Sequence, residues 1–170
     1  MSLPRLTETP ARYAGCCLAL SSPLIRSLSA LLPANPEFSI SVGSGSGLLE
    51  ALLMQYGEEK CIHGIDVFSC NNKYLPEENF YHVTGTREMW SRAGEAAVWL
   101  FVYPRDPYLI EMYLDLSGDG SVETIIWAGP KVDWPVFQPE FLKSPFEPIE
   151  HPSIGLANEE MIVVLRKKNL

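Results

Sequence analysis

Three things are scarce or missing in this sequence, and each closes off a class of protein. The first is a long apolar run. A helix that crosses a bilayer needs ~20 consecutive apolar residues, and no stretch comes near that, so no membrane span is expected. The second is positive charge. Thirteen Lys and Arg stand against 21 Asp and Glu, for a net charge of -8. Phosphate backbones are held by clustered Lys and Arg, so a general nucleic-acid binder is not expected. The one basic run, Arg166-Lys167-Lys168, reads as a solvated strand end. The third is cysteine in any useful spacing. Cys16 and Cys17 are neighbours, Cys61 and Cys70 stand apart, and no pair has the C-x-x-C separation of a metal site. No Asp/Glu/His/Cys cluster has metal-ligand spacing, and no Ser-His-Asp or Cys-His set is legible. Residues 1–15 hold no basic region leading into an apolar one, so no secretory signal is expected. Reduced thiols in a cytoplasmic or nuclear protein are the expectation.

What is present is the composition of a globular domain, with 46% hydrophobic and 20% charged residues in 170. Pro and Gly are scattered as punctuation and no repeat is visible, so a single domain spanning 1–170 is expected, with residues 1–36 as a helical N-terminal segment packed on the core. In that segment Ser22 can cap and Pro23 suits a first helical turn. Leu24, Leu28, Leu31 and Leu32 then share one face, and Pro33 and Pro36 stop the helix.

Strand-like runs follow at 38–42, 61–68, 79–83, 96–103, 122–129 and 160–168. The run AAVWLFVY is almost continuously apolar, as a strand covered on both faces must be. Helical segments fall at 48–56 and after Asp106-Pro107. Residues 71–80 read as a short helix or an ordered loop, and 130–152 as proline-rich with little regular structure. Alternating strands and helices predict an α/β fold. We expect a three-layer Rossmann-like sandwich on a mostly parallel sheet. The last strand follows an irregular stretch, so it is expected to run antiparallel, with FEPIE at 146–150 as its hairpin partner.

The residues that carry chemistry begin at SISVGSGSGLLEALL. Gly43, Gly45 and Gly47 lie between a strand and a helix, with Ser44 and Ser46 between them. Glycine there permits positive φ and lets backbone N–H groups approach a ligand. A dinucleotide fingerprint reads G-x-G-x-x-G, and here the loop is G-x-G-x-G followed by Leu48. A P-loop would end in G-K-[ST], which is absent, and the loop holds no cation. A ligand without phosphate is therefore favoured. Asp66 lies nineteen residues past Gly47, at the end of the second strand, where a carboxylate can accept both ribose hydroxyls.

This pairing of SISVGSGSGLLEALL with IHGIDV resembles the class I S-adenosylmethionine-dependent methyltransferases. VWLFVYPRDPYLIEMYL, ETIIWAGP and FEPIEHPSIGLANEEMIVVLRKK are similar, in order, to that family's fourth strand, fifth strand and terminal hairpin. The resemblance covers roughly residues 22–168. It implies S-adenosyl-L-methionine as cofactor. Gly43, Ser44, Gly45 and Gly47 would line its methionine and ribose part, Asp66 would bind the ribose, and Val67 and Phe68 would flank the adenine. Thr84, Gly85 and Thr86 match the turn beside the adenine amine. Tyr103 and Pro104 match the strand end beside the methyl donor. Two positions depart from the pattern. The family usually has an acidic residue two positions before the first glycine, where this chain has Ser41. The turn after strand three usually carries Asp, where this chain has Thr84-Gly85-Thr86.

Methyl transfer asks the protein mainly for positioning, so no universal catalytic residue exists and none is assigned. Tyr103, Arg105 and Trp134 are the candidate acceptor-binding residues. Asp106 reads as a helix cap. Trp127 and Trp134 are read either as walls for a flat acceptor or as cover for the sheet edge. His63 and His82 read as structural, and His151 reads as a loop residue first and a base second. A methyltransferase of unknown small-molecule or protein acceptor is expected. The alternative is a degenerate member of the same fold acting as an interaction module. An NAD-type oxidoreductase ranks below both.

Overall fold

The computed structural model describes residues 1–57, 59–67, 69–85, 87–117 and 119–169. Phe68 and Thr86, two of the expected cofactor contacts, lie outside them. The chain opens with a hairpin of β1 (Ala11–Tyr13) and β2 (Cys16–Leu20), turning at Gly15 with φ 77°. This hairpin is an element the expectation of a helical N-terminal segment did not include. Its physical basis is burial in β2, where Leu18, Ala19 and Leu20 are all within the core. Helix α1 (Ser22–Ser29) follows, capped one residue earlier than expected by the Ser21 hydroxyl, which accepts from Leu24 N–H at 3.2 Å.

The main sheet has seven strands in the order β5-β4-β3-β6-β7-β9-β8. β3 (Ser39–Val42), β4 (Ile62–Val67), β5 (Phe80–Val83), β6 (Val98–Val102) and β7 (Thr124–Pro130) are parallel. β9 (Glu160–Lys167) runs antiparallel to β7 and pairs antiparallel with β8 (Phe146–Glu150). The sheet is thus mostly parallel, with the antiparallel terminal hairpin the sequence predicts. Chain order reverses between β3 and β6, which puts a crevice at their carboxyl ends.

Each face of the sheet buries a different set of side chains. On one, Leu residues of α1 and α2 (Leu48–Tyr56) pack with Leu18, Leu20, Val98, Leu100 and Ile126. On the other lie Trp99, Phe101, Trp127 and Tyr113, the last from α3 (Pro107–Ser117). Helix α4 (Trp134–Leu142) closes this second face, within the stretch expected to lack regular structure. Two prolines hid it. Pro135 sits in the first turn, where its missing N–H costs nothing, and Pro139 is tolerated because Trp134, Phe137 and Phe141 are buried along one side. Residues 71–76 are an ordered loop leading into a single 3-10 turn at Glu77–Asn79.

Candidate functional site

The glycine loop leaves β3 and enters α2 with all three glycines left-handed, at φ 81° for Gly43, 59° for Gly45 and 79° for Gly47. The reason differs from one to the next. A Cβ on Gly45 would lie 2.9 Å from the carbonyl oxygen of Gly15, at the tip of the β1–β2 hairpin. A Cβ on Gly47 would lie 2.7 Å from Asn72 Oδ1 and 2.9 Å from Leu75 Cγ. A Cβ on Gly43 would meet nothing within 4 Å. Two of the glycines therefore answer to the protein's own close packing, and Gly43 alone faces open space.

The loop amides are not bare, which corrects the expectation drawn from the sequence. Gly43 and Ser44 N–H both donate to the Ile65 carbonyl, at 2.8 and 3.3 Å. Gly45 N–H donates to Asp66 Oδ2 at 2.8 Å. Ser46 N–H and its hydroxyl donate to the Gly15 carbonyl at 3.2 and 3.0 Å, and Gly47 N–H donates to Ser44 O at 3.0 Å. The amides of residues 43–47 are thus all internally engaged, and the loop has no spare donors for a phosphate.

Acceptor capacity is another matter. Asp66 also accepts from Val67 N–H, through Oδ1 at 2.8 Å. A carboxylate offers about four lone-pair positions, so this half-buried residue keeps acceptor capacity beyond these two amides. The thiol of Cys70 donates to Gly45 O at 2.8 Å. Burial, with Asp66 alongside, pushes that thiol up to about 12, so it stays a donor and not a thiolate. Beneath the loop lies a residue that sequence reasoning passed over. Glu50, in the first turn of α2, is 1% exposed. Its Oε1 accepts from the Ser41 hydroxyl at 2.5 Å, and its Oε2 meets no hydrogen-bond partner. Burial pushes this carboxyl up to about 7. A single acidic residue inside an apolar helix, LLEALLM, was the available signal.

The β5 turn is tied down from its own chain, Glu88 accepting from both the amide and the hydroxyl of Thr84. Gly85 stands open, since a Cβ there would meet nothing within 4 Å. At the end of β6, Tyr103 adopts φ 50°, an uncommon value for a bulky residue. Its amide donates to Ala128 O at 2.7 Å and its hydroxyl to Glu160 Oε2. The Glu160 side chain is fully buried and also accepts from Ala19 N–H at 3.1 Å and from Arg12 at 3.0 Å. Arg12 reaches Glu159 as well, at 2.6 Å. This network pins the hairpin tip to the start of β9.

A hollow of about 390 Å³ opens here, lined by Cys17, Tyr103, Arg105, Asp133 and Phe137 among others. Arg105 is exposed at its rim. Trp134 is elsewhere. It is 7% exposed, with its ring 5.1 Å from that of Trp127 and stacked on Phe141 at 5.8 Å, so both tryptophans are core. Asp106 caps α3, accepting from Tyr108 N–H at 3.0 Å. His63 is packed among Phe38, Tyr81 and Trp90, and burial lowers its proton affinity. His151 is exposed. Among the described residues no group of three His, Cys, Asp or Glu is placed to hold a metal.

Comparison with known proteins gives the fold. No family model matches the sequence, and no curated protein matches it. Solved structures do match in fold. A Thermoplasma acidophilum protein superimposes with TM-score 0.62 and 17% identity over 86% of this chain and 84% of its own. Magnesium protoporphyrin IX methyltransferase from Synechocystis, solved with bound SAM, gives 0.61 and 13% over 85% and 78%. A SAM-dependent methyltransferase from Aquifex aeolicus gives 0.62 and 12% over 84% and 88%. The chain has the class I methyltransferase fold.

Proposed function

We propose that this chain is an S-adenosylmethionine-dependent methyltransferase. The observation that carries the reading is the one-sided polarity of the crevice. Its loop amides are engaged, while the half-buried Asp66 at the end of β4 keeps acceptor capacity. A pyrophosphate needs donors and finds none in the loop, which disfavours a dinucleotide. A ligand with ribose hydroxyls, an ammonium and a sulfonium brings donors and positive charge, and fits.

In this reading Asp66 accepts the ribose hydroxyls. Gly43 is the surface beneath at the point of closest approach, and Ser44, Gly45 and Gly47 shape the turn behind it. Val67, Thr84 and Gly85 border the adenine, and Tyr103 stands beside the reacting end. The cofactor, when bound, supplies an electrophilic methyl group. The chain's own part is to hold an acceptor in line in the hollow beside Tyr103, with Arg105 at its mouth and Phe137 at its wall. Trp134 has no part in it. The acceptor is a small molecule or a protein side chain. No described helix is long and apolar enough to cross a membrane, and the four cysteines are free thiols; a cytoplasmic or nuclear setting accommodates both.

One observation favours the second reading, a degenerate member of the fold working as an interaction module. The hairpin tip covers Gly45 and is pinned by Arg12. Calorimetric titration with S-adenosylmethionine, S-adenosylhomocysteine and NAD separates the two. Micromolar binding of the first two and none of NAD supports the enzyme. No heat from any of them leaves the interaction module.

A further inference from the structure

The hollow beside Tyr103 is lined by two opposite charges that do not meet. Arg105 follows β6 and Asp133 precedes α4, and both line the same hollow of about 390 Å³. Among the described residues neither side chain has a hydrogen-bond or ion-pair partner, the other included. The Tyr103 hydroxyl, by contrast, is committed to Glu160. Other charges at this end of the sheet are matched too. Arg12 holds Glu159 and Glu160, and Arg87 holds Asp106 at 3.3 Å.

Helix stability accounts for neither charge. Arg105 stands two residues ahead of Pro107, the first residue of α3. The positive end of a helix dipole disfavours a cation there. Asp133 stands directly ahead of α4, where a carboxylate usually caps, yet it makes no cap hydrogen bond. The α4 dipole favours its charge but takes up none of its lone pairs. Pro104, Pro107, Val136 and Phe137 make the remaining wall largely apolar. The frame is firm on both sides. Asp106, next to Arg105, accepts from Tyr108 N–H, and Lys131, in the turn that carries Asp133, donates its N–H to Glu159 O at 2.9 Å.

We propose that this hollow takes a zwitterionic acceptor of the amino-acid type. Its carboxylate meets Arg105, its ammonium meets Asp133, and its side chain lies on the apolar wall. The inference rests on the methyltransferase reading and names the class of acceptor for it. Two opposite charges held apart select a ligand whose own charges are separated, since a ligand with one charge leaves the other pole unmatched or repelled. The guanidinium suits a carboxylate, which it grips through two parallel N–H bonds.

The test is binding to protein loaded with S-adenosylhomocysteine, read by calorimetry and saturation-transfer NMR. The probes are L-phenylalanine, phenethylamine, which lacks the carboxylate, and 3-phenylpropanoate, which lacks the ammonium. L-Phenylalanine should bind wild-type protein about 5-fold or more tightly than either, the worth of one solvent-exposed ion pair. Arg105→Gln should weaken L-phenylalanine by a similar factor without weakening phenethylamine. Asp133→Asn should weaken it without weakening 3-phenylpropanoate. Equal affinity of wild-type protein for the three probes, or binding of none of them, overturns the zwitterion and leaves the cofactor reading standing. A preference that both variants keep unchanged overturns the assignment of Arg105 and Asp133. If wild-type protein does not bind S-adenosylhomocysteine, the methyltransferase reading fails and this inference with it.

Discussion

The Ser41 hydroxyl on β3 donates to Glu50 Oε1 on α2 at 2.5 Å, across the root of the glycine loop. Nine residues separate them in sequence, and the loop itself is what brings them together. A buried carboxyl on the helix is thus aimed back at the strand.

This buried carboxyl makes stability depend on pH. Its folded-state value of about 7 lies above the 4.5 of an ordinary glutamate. The folded protein therefore holds the proton more tightly than the unfolded chain. The contribution is fully present below pH 4.5 and is lost as pH rises to about 7. The slope reaches at most ~1.4 kcal/mol per pH unit for one proton. Urea unfolding from pH 5 to 8 should show wild-type stability falling through this window, and Glu50→Gln should remove that fall. Parallel curves for the two proteins would place the proton elsewhere.

Asp66→Ala should abolish nucleoside binding and leave the fold intact. It also strips acceptors from Gly45 and Val67 N–H. At ~1–3 kcal/mol for leaving buried donors unpaired, the midpoint of thermal unfolding should drop without loss of cooperativity. Retained binding of S-adenosylhomocysteine would remove Asp66 from the ribose.

Gly43→Ala and Gly45→Ala should separate binding from stability. Both place a side chain at positive φ, but only the second drives it into the Gly15 carbonyl, 2.9 Å away. Gly45→Ala should therefore cost more than Gly43→Ala, by about 1–3 kcal/mol for the overpacking. Gly43→Ala should instead weaken ligand binding, because its Cβ enters the open face. Chemical denaturation paired with calorimetry reads both effects, and the reverse order would mean the hairpin tip gives way easily.

Trp134→Ala should destabilise by about 3–5 kcal/mol, as a large core truncation does. Arg105→Ala should leave stability nearly unchanged, since Arg105 is exposed. Once an acceptor is found, Arg105→Ala should raise its KM. Unfolding curves of the two variants settle which residue is core, and a stable Trp134→Ala protein would contradict the packing of Trp134 on Trp127 and Phe141.

The Leu-rich faces of α1 and α2, the apolar β6 and β7 and the G-x-G-x-G turn were legible because each is a local pattern. Period, propensity and turn chemistry belong to neighbouring residues. The hairpin at 11–20 and α4 were not, because prolines and short strands blur local periodicity and only burial against the sheet stabilises them. Ser41 and Asp66 were visible one at a time, but their partners were not.

The sequence by itself determined an acidic α/β domain with a mostly parallel sheet and a glycine turn ahead of a carboxylate. Tertiary structure alone decided that Gly45 yields to Gly15 and Gly47 to Asn72, while Gly43 stays open. It alone placed Glu50 against Ser41 and sank Trp134 into the core. The reason is that these are contacts between strand ends, helix starts and loops distant in the chain. Their distances are set by how the layers pack, and residue order carries no direct record of that.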